Sequence, residues 1–219
     1  MKKYLYIVLG ALMVLSLTAC NKDTTDKDKD TSDTTSQAQT ELSGTTKELI
    51  NSVTEATAEA KGICGSDMTW YYQDGVLVIK GTGDMNNYSI DTAPWKDYSI
   101  GWIAIDEGVN SIGQFAFYRL QDLSNVTLPS TLTSIGSDAF KLCNNLKEIT
   151  IPELVKYTNG GAGLLDCQGL ETVTFLGDMP EGADNIVWRA SKVNYTGDTY
   201  DELIADCEKN AHSIEWNKQ

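Results

Sequence analysis

Few residues in this chain are of types that do chemistry on their own, and each can be weighed singly. His212 is the only histidine, so a Ser-His-Asp relay or a histidine-ligated zinc would have to be built on it. It falls in a segment that reads as the end of a terminal helix, and no C-x-x-C pair occurs in the sequence. Cys143 and Cys167 hold equivalent positions in neighbouring repeats, near enough for a disulfide. Leu120 fills that position one repeat earlier, which marks it as apolar core, so a stacked pair of buried thiols is expected. Cys64 and Cys207 flank opposite ends of the repeats, too far apart to pair unless a terminus folds back. Asp26, Asp28 and Asp30 have the spacing that opens a calcium loop, but Thr31 replaces its glycine and Gln37 its bidentate glutamate. Gly81-Thr82-Gly83 has Asn86 where a dinucleotide fingerprint needs its third glycine. No catalytic residue, metal or cofactor is expected.

What remains points to recognition. Val126-Thr127-Leu128, Ile149-Thr150-Ile151 and Val173-Thr174-Phe175 each place a polar residue between two apolar ones. That alternation predicts a short strand with one face in the core. Ile103-Ala104-Ile105 and Val193-Asn194-Tyr195 extend the series, giving five strands in a narrow parallel sheet. Two outward columns result. One holds Trp102, Asn125, Glu148, Thr172 and Lys192; the other holds Ala104, Thr127, Thr150, Thr174 and Asn194. Trp102, Asn125, Thr127, Glu148, Thr150, Thr172 and Thr174 form the candidate binding face. Threonine also suits exposed strand positions for its own reasons. Trp102 either projects as an aromatic anchor or lies beneath the loops around Tyr88, Trp95 and Tyr98.

The elements that position these columns come from a repeat. Val109 and Leu132, Ile112 and Ile135, Phe117 and Phe140, Leu123 and Leu146, and Leu128 and Ile151 are each 23 residues apart. A third, altered copy runs through Val155, Leu164, Cys167, Leu170, Val173 and Phe175, with one residue inserted within Asn159–Gly161. Such a period means a solenoid, whose units bury their apolar faces only by stacking. Ahead of it, Met68–Tyr72 and Val76–Ile79 around Asp74-Gly75 predict a β-hairpin that covers the first coil, with Gly81, Gly83 and Pro94 in a loop-rich stretch behind. Thr45-Thr46-Lys47-Glu48 reads as a capping box before Leu49, Ile50, Val53, Ala56 and Ala60, predicting a lead-in helix within 45–61. Beyond the repeats, Ile186-Val187-Trp188 reads as a degenerate coil. Thr199-Tyr200-Asp201-Glu202 opens a predicted helix over 200–211, with Ile214 and Trp216 shielding the last coil.

Cys64-Gly65 to Trp70, Asp74-Gly75-Val76-Leu77, Gly81-Thr82-Gly83 and Ala93-Pro94-Trp95 resemble the lead-in of the BspA-type bacterial leucine-rich-repeat proteins. Ile135, Ala139-Phe140, Cys143, Leu146, Ile149 and Ile151-Pro152 resemble that family's repeat unit. Copy one departs from it with Leu120 for the cysteine, and copy three with Thr158 for the isoleucine and Gly163 for the alanine. The resemblance covers residues 62–198. It implies an α+β solenoid, a leucine-rich repeat with a short parallel sheet, an N-terminal β-hairpin cap and a C-terminal helical cap over 62–219, with core repeats 100–175. It also implies secretion or surface attachment, and adhesion or protein binding in place of catalysis.

Residues 1–19 read as a leader. Lys2 and Lys3 precede an apolar run, Tyr4 to Ala19, too short at about 24 Å of helix for a permanent span. Leu17-Thr18-Ala19-Cys20 resembles the lipobox of bacterial lipoproteins, which implies acylation of Cys20, with palmitate-type chains, and anchoring in the bilayer. Residues 20–44 are polar and predict a disordered tether. The net charge of −14 argues against nucleic acid and anionic membrane surfaces as partners. The expected protein is a monomeric, outward-facing envelope lipoprotein that binds an unidentified protein or glycan. The competing expectation is an envelope scaffold or assembly subunit that docks a partner of the same cell.

Overall fold

The computed structural model describes residues 47–156, 167–181, 190–209 and 213–219. The leader, Cys20, the tether, Thr45-Thr46, Thr158, Asn159–Gly161, Gly163, Leu164, the 186–188 segment and His212 lie outside them. Strands β1 (Ala60–Gln73) and β2 (Val76–Met85) form the predicted antiparallel hairpin. Its turn is Asp74-Gly75, both with positive φ, 46° and 82°, the twist that such a two-residue connection requires. The strands run further than the alternation suggested. Gly81 and Gly83, read as loop punctuation, lie inside β2. A Cβ at Gly81 would sit 2.0 Å from the Asp67 carbonyl of β1, so glycine is there because two backbones touch.

From β2 the chain winds into coils with two strand sides. On the first side are β3 (Trp102–Ile105), β5 (Asn125–Thr127), β7 (Glu148–Ile151), β8 (Thr172–Phe175) and β9 (Lys192–Tyr195). All five expected strands form, and β3 with β5, β7 with β8 and β8 with β9 pair in parallel in the register the repeat demands. The expected single sheet is divided, however: no ladder joins β5 to β7 among the described residues, so β3 and β5 belong to one sheet and β7, β8 and β9 to another. Val76–Ile79 of β2 pairs in parallel with β3, so the hairpin cap is itself the first strand of the stack. The second side was not anticipated: β4 (Val109–Ile112) and β6 (Ser134–Ile135) pair with each other, and β4 with the far end of β2. Val109 and Ile112 are both buried although two residues separate them, which is why alternation did not reveal a strand.

The core lies between the two sides. Leu77, Ile79, Ile103, Ile105, Ile149, Ile151, Val173 and Val193 enter it from the first; Val109, Ile112, Leu132 and Ile135 enter from the second. Phe117 and Phe140 fill it from the remaining wall, both fully buried, with ring centroids 5.1 Å apart. Trp95 extends the row, stacked 5.6 Å from Phe117, and its indole N–H donates to the Ala116 carbonyl at 2.7 Å. The Cys143 thiol donates to the Phe117 carbonyl (3.1 Å) and the Cys167 thiol to that of Phe140 (3.0 Å). Burial pushes the Cys143 pKa well up, which keeps it protonated and able to donate.

Two terminal expectations change. The lead-in helix covers 47–52 among the described residues and does not continue to 60. Thr57 Oγ1 accepts from the Thr54 N–H (2.8 Å) and donates to the Ser52 carbonyl (3.2 Å), competing with helical bonding, and β1 begins at Ala60. At the other end, helix Asp201–Lys209 forms, with Asp201 and Glu202 in its first turn, where the helix dipole favours them. It is not the end of the stack. A further strand, β10 (Glu215–Lys218), pairs in parallel with β9, Glu215 against Lys192. Those residues are 23 apart, so Trp216 belongs to another coil and the helix is that coil's outer arm. Among the described residues no helix is long and apolar enough to cross a membrane.

Truncating either phenylalanine of the shared row should be severe. In urea melts, Phe117→Ala and Phe140→Ala are expected to cost about 3–5 kcal/mol each. Thr150→Ala, on the outward face, should stay within about 0.5 kcal/mol; equal effects from Phe140→Ala and Thr150→Ala would overturn this register.

Candidate binding face

On the first strand side, alternate residues point away from the core. The register sets Trp102 against Asn125, Glu148 against Thr172, and Thr172 against Lys192. Beside them Ala104 faces Thr127, Thr150 faces Thr174, and Thr174 faces Asn194. Trp102, Asn125 and Thr127 therefore share the outer face of one sheet, and Glu148, Thr150, Thr172 and Thr174 that of the other, with paired strands about 4.8 Å apart. Asn125 and Glu148 are exposed, and Thr127, Thr150, Thr172 and Thr174 are half-buried. Neighbours along the columns are tied together: Asn194 Nδ2 donates to Thr174 Oγ1 at 3.1 Å, and Lys192 stands 4.0 Å from the Glu215 carboxylate. Glu215 and Asn217 of β10 prolong the columns. The 23-residue spacing from Lys192 and Asn194 was the available signal for them, but it was hidden by the helical pattern of 200–211.

The Trp102 end of this face is different. Val78 and Ala104 are fully buried although they point away from the main core. They are covered by Leu49, Ile50 and Val53 of the lead-in helix, and Tyr71, Val76 and Trp102 pack around this separate cluster. Trp102 is half-buried there, and its Nε1–H is buried with no acceptor among the described residues. The loop around Tyr88, Trp95 and Tyr98, the expected cover if Trp102 did not project freely, folds elsewhere. Tyr98 packs on Tyr72 and Trp70, with centroids 4.5 and 6.1 Å away, and Tyr88 packs edge-on against Trp95. Lys80 closes the end of the helix: its Nζ donates to the Val53 carbonyl at 2.8 Å and stands 5.6 Å from the Tyr71 ring centroid.

Residues 47–53 are held with little margin. Burying Leu49, Ile50 and Val53 contributes about 1.5–3 kcal/mol each. Ordering seven residues of backbone costs about 1–2 kcal/mol each. The ordering cost exceeds the burial of these three side chains by a few kcal/mol, so the Lys80 bond, the helical hydrogen bonds and the contacts with Tyr71 and Trp102 must supply the rest.

Stacked coils near 23 residues long, with a parallel strand track and a ladder of buried side chains at fixed phase, define a leucine-rich-repeat solenoid. The repeats are of the BspA type: residues 86–188 match the model of the BspA type leucine rich repeat region in six copies. Comparison with curated proteins finds no match. Among solved structures, a leucine-rich repeat protein from Eubacterium ventriosum is 21% identical, over 63% of this chain and 44% of that one, with a TM-score of 0.45. A leucine rich cell surface protein from Faecalibacterium prausnitzii is 18% identical over 67% and 42%, with a TM-score of 0.47. The pneumococcal vaccine antigen PcpA is 19% identical over 68% and 47%, with a TM-score of 0.44. The chain spans less than half the length of each of the three.

Because Trp102 packs against the helix, Trp102→Ala should destabilise the protein. A loss of about 1–3 kcal/mol in a urea melt is expected, below that of a fully buried aromatic. No change in the midpoint would show that the helix does not rest on this side chain.

Proposed function

We propose that this protein is a membrane-anchored cell-surface lipoprotein that displays its leucine-rich-repeat module to bind a protein or glycan, and that it performs no catalysis. The observation that carries this reading is the outer face: polar and threonine-bearing side chains that recur in register on the paired strands of both sheets. A surface held rigid by parallel pairing offers regularly spaced donors and acceptors with little ordering cost on binding. The acidic balance of the chain suits a partner that is neutral or basic at its contact. Acylated Cys20 and the polar residues after it would hold the solenoid off the bilayer as a monomer.

Two measurements test the reading. Cys20→Ser should abolish labelling by a fatty-acid analogue and move the protein out of the membrane fraction; a variant still labelled and membrane-bound would refute the anchor. For the face, the full chain is screened against glycan and protein arrays. Thr172→Arg, at the centre of the columns, should weaken any ligand found by at least tenfold, about 1.4 kcal/mol, with the urea midpoint unchanged. Unaltered binding by that variant would move recognition off this face.

A further inference from the structure

We propose that residues 47–53 are a displaceable strap, and that the surface beneath them is a docking site for a short amphipathic helix of a partner protein. The site lies at one end of the polar columns but has a different chemistry. Val78 and Ala104 form its floor, with Tyr71, Val76 and Trp102 around them, and the floor points away from the core that holds the coils together. The structure shows what fits: a helical turn presenting apolar residues at positions i, i+1 and i+4, here Leu49, Ile50 and Val53.

Three observations make the occupant exchangeable. Its apolar contacts form a cluster apart from the main core, so removing it opens no void between the coils. Its helix is short, ending at residue 52, and is joined to β1 by the 54–59 turn, which can release it without unpairing a strand. Among the described residues it also leaves the Trp102 Nε1–H buried and without an acceptor. A partner helix that offers a carboxylate or carbonyl there satisfies that group and gains over the strap it replaces. Lys80 acts as the latch through its bond to the Val53 carbonyl.

The test uses the full chain. In amide hydrogen exchange, residues 50–53 should exchange at least 100-fold faster than Val78 and Ala104. Lys80→Met, which keeps the aliphatic stem but removes the latch bond, should speed the strap amides further and leave the sheet amides unchanged. A synthetic peptide of residues 46–55 then serves as the probe. By chemical-shift perturbation it should bind the L49S/I50S chain and not the unaltered chain at the same concentration. Adding Trp102→Ala to L49S/I50S should weaken that binding at least tenfold. Equal protection of strap and sheet would overturn the proposal, and the exchange measurement on the unaltered chain decides this even if L49S/I50S fails to fold. No peptide binding to a folded L49S/I50S chain would also overturn it. So would a dimer formed by exchange of straps, which would make the occupant a second copy. The peptide reads only the site under the strap, whereas Thr172→Arg reads the polar columns, so either surface can fail with the other intact.

Discussion

A coil of about 23 residues carries backbone N–H and C=O groups along its whole length and has few partners for them within itself. The coils on either side must supply those partners, and this dependence sets the shape of everything else. Strand pairing meets it on two sides of the coil. On the third wall the N–H groups of Phe115, Phe117 and Arg119 reach the carbonyls of Ser137, Ala139 and Lys141 in the next coil. To aim them, Phe115 and Arg119 take left-handed backbone conformations, and so do Asp138 and Leu142, their equivalents one period on. Each such residue costs about 1–2 kcal/mol relative to ordinary backbone, and the ladder of bonds holds it there. At one corner the Glu107 carboxylate accepts from both the N–H and the hydroxyl of Ser130.

The same stacking logic explains the buried thiols. Cys143 and Cys167 each sit where the Sγ–H meets the carbonyl of a core phenylalanine in the preceding coil. That answers a backbone group which the strand ladders do not reach. Leu120 in the same slot is buried too but gives up the donor, so the position tolerates a larger apolar residue.

Parallel pairing also separates the two faces of the sheet into two chemistries. The inner face is bound into the solenoid and is not free to change. The outer face points away from the core and carries threonine, asparagine and glutamate side chains, some of them tied to one another, as Asn194 is to Thr174. At β2 and β3 alone the outer face is apolar, and there the chain covers it with its own residues 47–53. The outer side of the strands thus presents a polar part and an apolar part that the chain itself occupies.

The repeat was readable from the sequence because stacking requires equivalent side chains at equivalent positions. Phe117 and Phe140, Cys143 and Cys167, and the alternating triplets all had to recur for the core to be continuous. The five strands, the register of those that pair and the Asp74-Gly75 turn were therefore legible, whereas the break between β5 and β7 was not. The tertiary structure alone decided the features that depend on contacts between coils. The Val109–Ile112 strand track is visible only once its neighbours are in place, since a spacing of three between buried residues suits several local conformations. Gly81 reads as a loop residue until Asp67 is seen against it. Trp95 lies 22 residues before Phe117, one short of the period, and joins the aromatic row only because its loop folds inward. The helix at 201–209 reads as a terminus by its own pattern, yet β10 follows it because an open strand edge on β9 was there to be paired. Whether Trp102 was open or covered turned on where a separate segment came to rest. No periodicity within the repeat encodes that, and three apolar side chains at 49, 50 and 53 settled it by burying themselves on the nearest apolar surface.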